Sequence, residues 1–131
     1  HNSQLAKECA EFFAKLLILV LEKNDIKESI LKLKNECSEH LKNMIENALN
    51  SNEEDSFKAI RDFGPACGIN DGFSGVIYLL LKYNNLKEMI IANSKAGGDS
   101  SARAMIATII FMANNEIEQL PKEWINIKAE I

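Results

Sequence analysis

HNSQLAKECAEFFAKLLILVLE, residues 1–22, decides the fold class. Leu5, Cys9, Phe12, Phe13, Leu16, Leu17, Val20 and Leu21 recur at the period of an α-helix, not of a strand. Ser3 stands where a cap for that helix belongs. The segment is apolar around much of its circumference, so it is expected to be the central helix of the fold. Its unbroken apolar run, residues 16–21, is far too short to cross a bilayer.

Outward from it, Asn24 and Asp25 interrupt the pattern, and Asp25 is placed to cap the next helix. Ile26, Ile30, Leu33, Cys37, Leu41, Met44, Ile45 and Leu49 mark a second amphipathic stripe. Lys27, Lys32, Lys34, Glu36, Glu39 and Lys42 on its other side read as a solvated face. Residues 50–55 read as a polar connection and residues 56–63 as a short helix. Gly64 and Pro65 break that helix, and Gly68, Asn70, Asp71 and Gly72 are expected to keep the next stretch irregular. An apolar helix is expected over 73–83, a turn at Asn84 and Asn85, a short helix over 86–93 and another from 100 to 113. Pro121 suits the first turn of a last helix containing Trp124, Ile125 and Ile127. No strand pattern, repeat, low-complexity tract or linker stands out. The expectation is one all-α domain over residues 1–131, an orthogonal bundle of about seven helices around a buried one.

Composition sets the remaining bounds. Hydrophobic residues make up 47 % and charged residues 26 %, as in an ordinary globular chain of 131 residues. With 15 basic against 19 acidic residues the net charge is −4, which argues against a nucleic-acid surface. Cys9, Cys37 and Cys67 are odd in number and in no metal-ligand spacing. Cys9 and Cys37 fall on apolar helical stripes, so buried thiols in a reducing, cytoplasmic setting are expected. No signal peptide is visible. The chain begins at His1 rather than at a methionine, so a longer product is expected.

Few residues carry chemistry. His1 and His40 are the only histidines, and His40 falls on a polar side, expected to face solvent. Glu53, Glu54 and Asp55 read as a solvated acidic loop. Tyr78, Tyr83 and Trp124 read as packing residues. The exception is residues 97–103, Gly-Gly-Asp-Ser-Ser-Ala-Arg, between two helical patterns. Gly97 and Gly98 free the backbone to turn. Asp99 is placed to cap the next helix, whose first N–H groups can face an anion, and its carboxylate suits a hard cation such as Mg²⁺. A plain helix end followed by a plain cap accounts for the same residues.

Four stretches carry a resemblance: FGPACGINDGFSGVIYLLLKY at 63–83, NSKAGGDSSARAMIATIIFMA at 93–113, LPKEW at 120–124, and the opening residues 1–22. The first three resemble the C-terminal part of an ADP-ribosylglycohydrolase, most nearly the branch related to the J1 crystallins, and the opening resembles a mid-chain segment of that family. The resemblance covers residues 1–124 and implies an all-α orthogonal bundle. It also implies hydrolysis of the bond joining ADP-ribose to an acceptor. In that family the turn reads Gly-Gly-Asp-Thr-Asp-Thr, and its two aspartates and last threonine help hold a pair of Mg²⁺ ions.

Matched by position, Asp99 keeps the first aspartate. Ser100 takes the first threonine, Ser101 the second aspartate and Ala102 the last threonine. The resemblance thus implies Asp99 and Ser101 as metal ligands, with Gly97, Gly98 and Ser100 shaping the ligand pocket. It implies ADP-ribose or an ADP-ribosylated group as partner. The family's N-terminal acidic motifs have no counterpart in residues 1–131. The chain alone is expected to bind Mg²⁺ weakly or not at all and to be inactive. Three readings are open: part of a hydrolase, a non-catalytic structural or binding protein of the crystallin kind, or a remnant acting only by association. Apolar surface around residues 12–21 points to a homodimer.

Overall fold

The computed structural model describes residues 3–51, 58–60, 69–97 and 100–114. Every regular element among them is helical, so the all-α expectation holds. In chain order the helices are α1 (Ser3–Leu21), α2 (Ile26–Lys34), α3 (Glu39–Leu49), α4 (Ile69–Lys82), α5 (Leu86–Ala96) and α6 (Ser100–Asn114). Residues 58–60 are also helical, inside the short helix expected over 56–63. The expected capping by the Ser3 side chain, the acidic loop, Cys67 and the last helix with Trp124 lie outside what is described.

α1 stops where Lys23 adopts a left-handed backbone (φ 76°). The N–H groups of Lys23 and Asn24 then fold back onto the Val20 and Leu19 carbonyls. The Asn24 side chain also donates to Leu19 O at 2.9 Å, satisfying the carbonyl end of the helix. Asp25 caps α2 as its sequence position predicts, accepting from Glu28 N at 3.1 Å.

The second amphipathic stripe is not one helix. Asn35 closes α2, and Ser38 opens α3 by accepting from Leu41 N at 3.4 Å. The apolar spacing Leu33–Cys37–Leu41 runs through this corner, because a tight turn keeps all three facing one core. Lys34 and Glu46 pair across it at 3.5 Å.

The sequence predicts α1 as the central helix; the structure gives that place to α4. Every residue from 73 to 80 is buried. α4 packs on α1, α2, α3 and α6, and Ser74 Oγ donates to Met44 O of α3 at 3.2 Å. α1 is amphipathic instead. Leu5, Cys9, Phe12, Leu16 and Val20 face the core, while Ile18 (56 % exposed) and Leu21 (58 %) face outward. An apolar sequence is compatible with either place, and contacts from distant segments decide between them. The two helices meet through Phe12, Phe13 and Phe73, whose ring centroids lie 5.1–5.8 Å apart.

α4 also begins earlier than expected. Residues 69–72 are helical despite Gly72, whose helix penalty of about 1 kcal/mol is small enough for the helix to run through it. α5 runs three residues past the expected end at 93, capped by Asn85, which accepts from Glu88 N at 3.0 Å. α6 matches its expected span closely.

Candidate functional site

The glycine turn joins α5 to α6, and both of its ends are fixed. At the first end Gly97 closes α5 with φ 75° and ψ −160°, a conformation open almost only to glycine. Its N–H donates to Ser94 O at 3.3 Å. At the other end Ser100 begins α6, and its carbonyl accepts from the Asn93 side chain at 2.7 Å.

A buried side chain completes the bracket. Arg103, 2 % exposed, sits one turn into α6. Its Nε donates to Asn93 Oδ1 at 2.7 Å, and its Nη2 donates to the Gly97 carbonyl. Asn93 is 1 % exposed. A guanidinium so far from water is tolerated only when its donors are satisfied. Here one α5 side chain holds both the guanidinium and the far end of the turn. Beneath them α4 contributes Gly75. A Cβ there would lie 3.1 Å from Arg103 Cδ, so the missing side chain makes room for the arginine stem.

Of the residues singled out in sequence, Gly97 and Ser100 are thus brought together by Asn93 and Arg103. Ser101 is exposed on the first turn of α6. Gly98 and Asp99 lie outside the described residues. Sequence reading passes over Asn93 and Arg103, though each leaves a trace. Asn93 interrupts the buried stripe Leu86, Met89, Ala96, and Arg103 is the only charged residue in α6. A polar residue on an apolar stripe, ten positions before a lone arginine, is a readable pairing.

The described donors do not fit Mg²⁺. That ion takes carboxylates and waters in an octahedron. Ser101 offers one neutral hydroxyl, Ala102 a methyl group, and the neighbouring buried side chain is a cation. Among the described residues no three His, Cys, Asp or Glu side chains stand close enough to hold a metal.

Elsewhere, a hollow of about 110 Å³ lies between α1 and the α2–α3 corner, lined in part by Glu8, Glu11, Lys15, Glu36 and Cys37. Ser38 Oγ donates to Glu8 Oε2 at its rim, at 3.3 Å. Burial raises the Cys37 thiol above its ordinary value of 9.0, against the pull of Lys15. Burial, helped by Glu8 and Cys37, pushes Cys9 up to about 11. Both are free thiols, protonated at neutral pH, so neither is an activated nucleophile. His40 is exposed, as expected. No described helix is long and apolar enough to cross a membrane.

No curated protein and no solved structure matches the chain significantly. A family model does, that of the ADP-ribosylglycohydrolases, over residues 1–129. The match takes in every described helix and the whole glycine turn, and the all-α architecture agrees with it. The chain belongs to the ADP-ribosylglycohydrolase family.

Proposed function

We propose that the chain binds ADP-ribose, or an ADP-ribosylated group, at the turn that opens α6, and that these 131 residues do not by themselves hydrolyse the linkage. The carrying observation is the Asn93–Arg103 bracket, which holds the Gly97 and Ser100 carbonyls and so fixes the turn before any ligand arrives. A fixed turn at the start of a 15-residue helix suits an anionic group such as a pyrophosphate. The Gly97 backbone borders the site, and Ser100 and Ser101 supply N–H and hydroxyl groups. Asp99 is the residue matched to the family's first acidic ligand.

The family is of the metal-dependent kind, in which a bound metal activates water. Here Ser101 and Ala102 stand where the matched motif has an aspartate and a threonine. That exchange favours a second reading, a non-catalytic member of the kind seen in the J1 crystallins, for which ligand binding without turnover is sufficient. A third reading is a remnant that works only in association with another chain, and the exposed apolar side chains of α1 and α6 favour it. The free thiols of Cys9 and Cys37 suit a reducing, cytoplasmic setting.

Titration calorimetry with ADP-ribose tests the reading. Binding is expected, weakened about tenfold in Asn93→Ala, which releases both ends of the turn, a loss near 1.4 kcal/mol. No heat at millimolar ADP-ribose would sink the binding reading and leave the structural and association readings. ADP-ribose released from modified protein by the purified chain would overturn the claim of inactivity.

A further inference from the structure

We propose that Arg103 is the positioning residue of the glycine turn: with Asn93 it ties the two ends of the turn, Gly97 and Ser100, to α5 without a metal ion, so the placement of those ends is independent of Mg²⁺. Three observations carry this. The guanidinium is buried and reaches both the turn, at the Gly97 carbonyl, and the preceding helix, at Asn93 Oδ1. Asn93 uses its other end to hold the Ser100 carbonyl, so one network spans the turn from side to side. Gly75 of α4 leaves a slot for the arginine stem, so the central helix is shaped for this side chain at this place.

The guanidinium holds the Gly97 carbonyl directly and the Ser100 carbonyl through the Asn93 amide, and both contacts are part of the fold. A guanidinium gives up no proton at any pH the protein survives, and its planar fork fixes direction as well as distance. Lysine carries the same charge without that fork, so it reaches one acceptor and not both.

The inference shares the site, not the ligand, of the proposed function, and its test uses no ADP-ribose. Amide hydrogen exchange of the intact chain is the measurement, read at the two ends of the turn, for Gly97 and for residues 104–107 whose N–H groups are bonded within α6, and separately for α2. In the wild-type chain about 10 mM Mg²⁺ is expected to leave exchange at the turn unchanged within roughly twofold. Arg103→Met keeps the apolar stem over Gly75 and removes the donors. Exchange at the turn should then rise at least about tenfold while α2 is unaffected. Arg103→Lys should recover part of that loss.

Should Arg103→Met not fold, Asn93→Ala removes the Nε acceptor and the Ser100 anchor together and carries the same expectation. Slower exchange at the turn on adding Mg²⁺ would overturn the proposal. So would an Arg103→Met turn as protected as the wild type, which would leave Arg103 a packing residue only. If the exchange results stand and calorimetry finds no ADP-ribose binding, the ligand reading falls and the role of Arg103 does not.

Discussion

At the scale of single residues, backbone and titration carry the sharpest expectations. A Cβ added at Gly97 would meet nothing within 4 Å, so space is not what requires glycine there. Its dihedrals are the reason, since φ 75° with ψ −160° is strained for any L side chain. Gly97→Ala is therefore expected to cost about 1–3 kcal/mol in denaturant unfolding, with no cavity and no clash to account for it. Cys9 gives a pH dependence. Its thiol has an ordinary value of 9.0 and is pushed up to about 11 in the fold, so the native state holds the proton more tightly than the unfolded chain. The stabilisation is fully present below pH 9 and is lost as pH rises through 11. The loss should be roughly 2 kcal/mol, and Cys9→Ala, though less stable throughout, should lack that part of the slope. A wild-type slope equal to that of the variant between pH 9 and 11 would mean Cys9 is not shielded.

Among the elements, the places where sequence is sufficient and insufficient differ in range. Caps are local, so Asp25 is legible as the start of α2 from its neighbours alone. Periodicity is local too, and it places Leu5, Cys9, Phe12, Leu16 and Val20 on one face correctly. The choice of central helix is not local. α1 and α4 are both rich in apolar residues and both pack on α2, α3 and α6, and only the tertiary fold leaves one face of α1 in water while burying 73–80 all round. The corner between α2 and α3 is hidden because its apolar positions keep helical spacing through the break. In the candidate site the glycines are legible by type, but the bracket across residues 93 and 103 needs α5 and α6 to be folded back on each other.

The end of α1 offers a test of the local part. Lys23 is the sole described non-glycine residue with positive φ, in the position after a helix where glycine is favoured. Lys23→Gly removes the left-handed penalty of about 1–2 kcal/mol and adds some unfolded-state entropy. A net gain of about 0.5–1 kcal/mol is expected, read as a rise in the denaturant midpoint with unchanged slope. A lower midpoint would mean the lysine side chain makes contacts worth more than its strain.

For the molecule as a whole, the outward face of α6 is the feature that most constrains behaviour in solution. Met105 is 63 % and Ile109 51 % exposed, and the single charge of the helix, Arg103, is turned inward. The solvent side of α6 is thus without charge over its 15 residues. On α1, Ile18 and Leu21 are exposed within the apolar segment 12–21. Large apolar side chains placed this way contribute little to the fold, since they remain in water. Removed from water they are worth roughly 25 cal/mol per Å², from which the cost of association must be subtracted. We propose that two copies of the chain pair through these faces, because a self-complementary contact covers them without a second kind of partner. Light scattering at micromolar concentration is expected to give a mass that rises toward the dimer with concentration. Met105→Lys with Ile109→Glu should return it to the monomer while leaving the unfolding midpoint nearly equal to that of the wild type at dilutions where the wild type is monomeric, since neither side chain is in the core. A monomer at every concentration that also binds no hydrophobic dye would mean that α1 and α6 tolerate their exposed apolar side chains, and the pairing would be wrong.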